Sequence, residues 1–196
     1  AYAMNPSLVV SEMCIRDRGK QEENTVSVEA GTYSTRSVVL STQRSFDNHS
    51  VGAIYSNFFT EGFSSIGKDE PGAEADGYVS KEIVLKTQST LSDQSVLSFS
   101  FINTNEKGDY DGFDADEVGP YLTRKTTAFS TKLEIDTGDI QHEGSVSYFD
   151  TDRTQYSTFS TTPYKGNRLG VNYQAVMGTA IGRVIGGLST SSDTVK

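Results

Sequence analysis

The sequence predicts an all-β protein: an antiparallel meander of about nine strands that is a fragment of a transmembrane β-barrel. Three observations support this fold class. Apolar and polar residues alternate with period two along most of the chain, which is typical of strands. Tight turns and long polar loops alternate, so the two ends of the meander differ. Outer-membrane barrels have this asymmetry, with short periplasmic turns and longer extracellular loops.

The composition restricts the classes of protein that the chain can belong to. A formal net charge of -9 argues against a nucleic-acid binder, which needs clustered Lys and Arg. No run approaches the roughly 18 apolar residues of a membrane-spanning helix. The one cysteine, Cys14, excludes an internal disulfide. A barrel stays compatible with these numbers, because its strands alternate apolar and polar residues.

The first 18 residues are interpreted as a non-native segment. The run SLVVSEMCIRDR, Ser7 to Arg18, resembles the translation of a sequencing adapter. It has neither the basic start nor the small-residue cleavage site of a signal peptide. We therefore take residues 19–196 as the part that bears on the fold.

The first three strands lead to the longest loop. In the first strand Val26 and Val28 share one face and Ser27 lies on the other. The loop from Ser56 to Tyr78 is acidic and rich in glycine. The predicted strands are residues 24–30, 35–43 and 51–59, with turns at 31–34 and 44–50.

The next three strands enclose the second long loop. The clearest alternation in the chain places Leu97, Phe99 and Phe101 on one face of SVLSFSFIN. The polar loop from Asn105 to Tyr121 follows. The predicted strands are residues 78–90, 95–103 and 124–136.

The last three strands surround a third polar loop, Asp152 to Gly166. Val171, Tyr173 and Ala175 share one face of the strand after it. The predicted strands are residues 141–150, 169–177 and 181–189, with tight turns at 137–139 and 178–180.

The alternation alone leaves two architectures open. A soluble sandwich buries its apolar faces between two sheets, whereas a membrane barrel turns its apolar face towards lipid. Three features favour the barrel: polar faces rich in Ser, Thr, Gln and Asn, long loops on one side only, and aromatic residues at the long-loop ends of strands. Those aromatic residues are Tyr55, Phe58, Phe59, Tyr78 and Tyr121.

From about Asn24 onward the chain resembles the barrel of the TonB-dependent outer-membrane receptors, and within them those of the cobalamin-uptake type. The resemblance is carried by VEAGTYSTRSVVLS, FFTEGFSS, EADGYVSK, NTNEKGDYDGF, YLTRK and VSYFDTDRTQY. It implies a larger barrel around a globular plug, in the outer membrane of a Gram-negative bacterium. It also implies uptake of cobalamin or a similar large ligand, driven by an inner-membrane energy-coupling protein that contacts the plug. We expect this chain to be a fragment, with the plug and the C-terminal strands missing.

The acidic loops suggest a structural calcium site, since calcium takes six to eight oxygen ligands. In the family that the chain resembles, the corresponding loops bind calcium. By position this implies Glu74, Asp76 and Asp111 as ligands. Weaker candidates are Asp109, Asp114 and Asp116. Gly72 and Leu122 stand where the family has ligating side chains, and the alternative is that these loops are solvated acidic surface.

Aromatic residues in the loops are candidates for ligand contact, because aromatic side chains bind apolar surfaces at low entropic cost. An alternative role is to anchor the strands at the membrane interface. The candidates are Tyr110, Phe113, Tyr156, Phe159 and Tyr164.

The sequence gives no reason to expect an enzyme. His49 and His142 are isolated, and neither a nucleophile elbow nor a phosphate-binding loop is present. We expect the chain to catalyse no reaction, to bind no cofactor apart from the calcium, and to contact the lipid bilayer. Two other functions stay open: a siderophore receptor of the same family, and a soluble extracellular β-protein that binds carbohydrate.

Overall fold

The computed structural model describes residues 22–64, 75–111 and 119–196. These residues form a single nine-stranded antiparallel sheet, in which every strand pairs with its neighbours in the sequence. The predicted all-β antiparallel meander is therefore confirmed. The strands are β1 (Glu23–Ala30), β2 (Arg36–Phe46), β3 (His49–Thr60), β4 (Tyr78–Ser92), β5 (Ser95–Asp109), β6 (Tyr121–Asp136), β7 (Ile140–Tyr156), β8 (Thr161–Thr179) and β9 (Gly182–Val195).

Several strands are longer than the alternation predicted. β7 and β8 extend to Tyr156 and from Thr161, through residues that were predicted as a third long loop. That prediction was wrong, because a polar run can continue a strand when its backbone groups pair in the ladder. Here Asp152 pairs with Lys165 and Tyr156 with Thr161. The connection is a tight turn at residues 157–160, closed by the Ser157 N–H donating to the Ser160 carbonyl at 2.8 Å.

The connections at the two ends of the sheet differ in length. One end carries residues 31–35, 61–77, 110–120 and 157–160, and we call it the long-loop end. The other end carries residues 47–48, 93–94, 137–139 and 180–181, and we call it the short-turn end. The sequence predicted that short and long connections alternate. The first two predicted long loops, at residues 61–77 and 110–120, follow this pattern.

The two faces of the sheet differ in polarity. Residues directly opposite one another in an antiparallel ladder lie on the same face, so the register of the strands assigns each position to a face. One face carries serine, threonine and charged residues, such as the row Ser100, Ser130 and Ser147. Ile54 and Val84, the two buried apolar residues of the described chain, lie on this polar face. Because the cavities also lie mainly on this face, we take it as the concave face.

The opposite, convex face exposes a band of apolar side chains. Leu85, Phe99 and Phe129 are each about two-fifths exposed, although they lie in the middle of their strands. No residue that the structure describes covers this band. The band consists of Val26, Val28, Val38, Leu40, Val51, Ala53, Tyr55, Ile83, Leu85, Leu97, Phe99, Phe101, Phe129, Leu133, Ile135, Val146, Tyr148, Leu169, Val171, Tyr173, Ala175, Met177, Val184 and Leu188.

The sheet is open in the part of the chain that the structure describes. β1 and β9 are its edges, and each pairs with one strand only. Val26 and Val28 of β1 are 70% and 69% exposed, and every residue of β9 is exposed. Among the described residues, no helix is long and apolar enough to cross a membrane.

Candidate functional site

Four polar side chains meet on the concave face near the long-loop end. They come from four consecutive strands: Tyr78 begins β4, Glu106 lies near the end of β5, and Arg124 and Arg153 lie on β6 and β7. The register aligns Glu106 with Arg124 and Arg124 with Arg153. Tyr78 pairs with Gly108, so its ring reaches Glu106 diagonally, as long side chains in a sheet can.

Glu106 is the acceptor at the centre of this cluster. The Tyr78 hydroxyl donates to Glu106 Oε1 at 2.7 Å, and the Arg124 guanidinium donates to Oε2. The Glu106 side chain is 9% exposed, whereas that of Arg124 is 49% exposed. A charge-assisted bond to a largely covered carboxylate is stronger than one between two exposed charges.

The cluster shifts the acidity of its members in opposite directions. Burial raises the pKa of Tyr78 to about 12, and its hydrogen bond to the Glu106 carboxylate adds to this. Burial also opposes the charge on Glu106, but the hydrogen bonds from Arg124 and Tyr78 outweigh it and lower the pKa of Glu106. The hydrogen bond to Glu106 raises the pKa of Arg124. At neutral pH the tyrosine is therefore a donor and the glutamate a charged acceptor.

Arg124 and Arg153 lie side by side at one wall of a cavity of about 350 Å³. Like charges directly opposite one another in a ladder repel. Arg124 is paired with Glu106, but among the described residues no carboxylate lies within ion-pair distance of Arg153. Gln155 and Tyr110 line the same cavity.

A larger cavity, of about 660 Å³, lies nearer the short-turn end. Its walls are mostly uncharged hydroxyl and amide side chains, with Lys86 and Lys132 as cations. Lys132 is already paired with Glu134 at 3.1 Å and lies 3.9 Å from Glu143. Glu23, Asp47 and His49 also line this cavity, which can hold a polar molecule.

The structure brings two of the predicted ligand-binding aromatics together. The Tyr110 hydroxyl donates to the Tyr156 carbonyl and accepts from the Gln155 amide, both at 3.0 Å. The Tyr156 ring stacks on Tyr121, with centroids 4.4 Å apart. Lys107 Nζ lies 4.4 Å from the centroid of the Tyr121 ring, on the other side of this aromatic group.

The other predicted ligand-binding residues are separate from this group. Phe159 is 91% exposed in the turn between β7 and β8, and Tyr164 lies opposite Arg153 on the concave face. Phe113 lies outside the described residues. Tyr110, Tyr156 and Tyr164 therefore lie at one end of the sheet, and Phe159 projects beyond it.

The predicted metal ligands are described only in part. Glu74, Asp114 and Asp116 lie outside the described residues. The Asp109 N–H donates to the Gly77 carbonyl at 2.9 Å, which sets Asp109 beside the chain that follows Asp76. Across residues 22–64, 75–111 and 119–196, no group of three or more His, Cys, Asp or Glu could hold a metal ion. Calcium binding stays a prediction, as do the roles of Asp76 and Asp111.

Sequence reasoning missed the pairing of Arg124 with Glu106 and the position of Arg153. Tyr78 was noted only as an aromatic residue at a strand end, and Glu106 only as part of an acidic loop. The available signal was the strand alternation itself, which puts positions 106, 124 and 153 on the polar face once the register is known. Without the register, nothing in the sequence indicates that these three residues lie close together.

A scan of the chain against protein-family models finds no match, and a search of the curated proteins finds no similar sequence.

Proposed function

We propose that the chain forms part of a TonB-dependent outer-membrane receptor of the cobalamin-uptake type, and that it lines the path of a large, scarce ligand. The observation that supports this proposal best is the shape of the apolar band on the convex face. Large exposed apolar patches mark contacts with a membrane or a partner.

The apolar band crosses the sheet obliquely. On β2 it is centred between Val38 and Leu40, that is, at Val39. The register carries Val39 across the sheet to Gly166 on β8. The apolar run on β8, however, is centred on Tyr173, roughly seven residues closer to the short-turn end, or about 24 Å at ~3.4 Å per residue.

From this displacement we calculate the angle by which the strands would tilt if the apolar band lay flat in a membrane. The distance from β2 to β8 across the sheet is about 29 Å, at ~4.8 Å between neighbouring strands. A shift of about 24 Å over that distance corresponds to strands tilted by about 40° from the normal of the band. Strands of membrane barrels tilt by about 35–45°. The agreement favours a lipid-facing band.

The position of the polar cluster fits the same proposal. On β4, β5 and β6 the apolar band ends at Ile83, Phe101 and Phe129. Tyr78, Glu106 and Arg124 lie beyond these residues, towards the long loops. In an outer-membrane barrel they would lie on the extracellular side, on the inner wall, where an incoming ligand passes first.

The identity of the ligand rests on the family resemblance alone. Cobalamin follows from the motifs at residues 58–65, 74–81 and 103–113. A siderophore is the alternative within the same family. In either case the energy for uptake would come from an inner-membrane partner, and the chain itself would catalyse no reaction.

A tryptophan placed on each face tests the membrane orientation. The 196 residues contain no tryptophan, so Phe129→Trp and Ser130→Trp each add one reporter on neighbouring positions of β6. In the protein produced from its complete reading frame and reconstituted in vesicles, the fluorescence of each variant is compared with that of the parent protein. Brominated lipids should quench the fluorescence added at 129 and leave that added at 130 unchanged.

Four further outcomes also test the proposal. Equal quenching at both positions, or a protein that stays in solution without detergent, would contradict the membrane proposal and favour the soluble carbohydrate-binding alternative. Uptake of labelled cobalamin by a Gram-negative host that lacks its own receptor would support the ligand assignment. Uptake of a ferric siderophore in its place would correct it.

A further inference from the structure

We propose that Arg153 and Arg124 form a binding site for an oxyanion, a carboxylate or phosphate group of the ligand, in the cavity at the long-loop end of the concave face. This inference deepens the proposed function and rests on it for the source of the oxyanion. It does not depend on whether that ligand is cobalamin or a siderophore.

The first argument is the placement of charge. Arg124 and Arg153 occupy directly opposite positions of the β6 and β7 ladder and share the concave face. Two guanidinium groups at such positions repel each other. Glu106 neutralises Arg124 from the far side, through the bond described above. Among the described residues, Arg153 has no such carboxylate, so an anion between the two arginines would remove the repulsion.

The second argument is the geometry of the cavity. Arg124, Arg153, Gln155 and Tyr110 all line the same cavity of about 350 Å³. Arginine donates up to five N–H bonds in a planar fork that matches a carboxylate or phosphate. The Gln155 amide uses one N–H for Tyr110, which leaves its second N–H for the anion. The carboxylates that line the cavity, Glu106 and Asp109, are held by Arg124 and Lys107 respectively.

The third argument is the preorganisation of the site. Gln155 is held by its N–H bond to the Tyr110 hydroxyl, whose own hydrogen goes to the Tyr156 carbonyl, and Arg124 is held by Glu106. Arg153 itself is exposed, so an incoming group can reach it. A site whose other donors are already oriented binds with a smaller loss of side-chain entropy.

The test measures binding of inorganic phosphate and of acetate to the protein from its complete reading frame, in detergent micelles. The chemical shift of the arginine Nε–H groups reports binding. We expect Arg153→Gln to weaken phosphate or acetate binding about tenfold or more, because a hydrogen bond to a charged group is lost. Arg168→Gln is the matched control: Arg168 lies on the same face but already pairs with Asp193 at 2.6 and 2.9 Å, and we expect less than a twofold change.

Two more variants distinguish a loss of binding from a failure to fold. Arg153→Lys keeps the charge but loses the planar fork, so it should bind more weakly than the wild type and more tightly than Arg153→Gln. Glu106→Gln removes the neighbouring negative charge, keeps an amide oxygen that can still accept from Arg124, and should strengthen binding. Tighter binding of phosphate than of acetate would assign a phosphate group, and the reverse would assign a carboxylate.

Equal effects of Arg153→Gln and Arg168→Gln, or no binding of either anion to the folded protein, would overturn the inference. Neither result would bear on membrane insertion, because the lipid-quenching experiment involves neither arginine. Conversely, a protein that binds phosphate through Arg153 but stays outside the bilayer would retain the site and lose the proposed function.

Discussion

At the scale of single residues, the hydrogen bond between Tyr78 and Glu106 is the most specific feature of the site. A tyrosine hydroxyl that donates to a largely covered carboxylate must stay protonated, since a tyrosinate would face a second negative charge. Burial and then this contact raise the pKa of Tyr78, and the hydrogen bonds from Arg124 and then Tyr78 lower the pKa of Glu106.

This contact predicts a distinct titration for Tyr78. Its pKa is raised to about 12, so the stability that the protonated hydroxyl contributes is present below the ordinary tyrosine pKa of ~10 and is lost as the pH rises through about 12. Tyrosinate absorbance near 295 nm, compared between the wild type and Tyr78→Phe, should isolate this transition. Glu106→Gln should lower this transition only in part, because burial, the larger cause of the raised pKa, remains. A Tyr78 transition that stays at the same pH in Glu106→Gln would show that burial alone sets its pKa.

Glu106 has the opposite dependence on pH. Because its pKa is lowered in the folded protein, its contribution to stability is present above the ordinary glutamate pKa of ~4.3 and is lost as the pH falls through the folded value. The difference in free energy of unfolding between the wild type and Glu106→Gln should therefore shrink in acid. The contributions of Tyr78 and Glu106 to stability are therefore both present at intermediate pH.

At the scale of the elements, the sequence predicted which residues share a face of each strand. It did not predict how far along each strand the apolar band lies. Alternation assigned Leu97, Phe99 and Phe101 to one face of β5 correctly, because period two is a local property of a strand. The oblique course of the apolar band needed the register of all nine strands. The length of β7 and β8 was also missed, since polar residues such as Asp152 and Lys165 pair in the ladder and form an ion pair at 2.6 Å.

The oblique band predicts that two positions in the same row of the sheet respond differently to a charge. Leu40 on β2 and Asn167 on β8 lie in one register row on the convex face. Leu40 lies within the band and Asn167 beyond its end on β8. Leu40→Arg should cost about 2–4 kcal/mol, and Asn167→Arg about 0–1 kcal/mol, as for the centre and the edge of a bilayer.

Urea unfolding in phospholipid vesicles measures both free energies. Asn172→Arg, on the concave face of β8, is a control for the effect of the charge away from lipid and should be tolerated. Similar losses for Leu40→Arg and Asn167→Arg would argue for a band that runs straight across the sheet and against tilted strands.

At the scale of the whole molecule, the sheet formed by residues 22–64, 75–111 and 119–196 has exposed edges and only a very small core. Ile54 and Val84 are the buried apolar residues of the described chain, and the edges β1 and β9 leave backbone groups without ladder partners. In hydrocarbon, each unsatisfied backbone group costs several kcal/mol. A nine-stranded open sheet would therefore need further strands, or another chain, to exist in a bilayer.

We accordingly expect residues 22–196, produced alone and mixed with vesicles, to form no stable inserted barrel. Mobility of the unheated sample in gel electrophoresis and resistance to protease measure this directly. The protein from the complete reading frame, treated in the same way, is the control. Recovery of a heat-modifiable, protease-resistant species from residues 22–196 would contradict the expectation and indicate that the edges close on each other or on a second copy.

The sequence by itself determined the all-β antiparallel meander, the number of strands, the composition of each face and the contrast between the two ends. All four depend on local patterns: period-two alternation, turn residues, and acidic loops. Only the tertiary structure decided that Tyr78, Glu106, Arg124 and Arg153 meet, and that the apolar band is oblique. Both depend on the register between strands, which is set by cross-strand hydrogen bonds among residues distant in sequence.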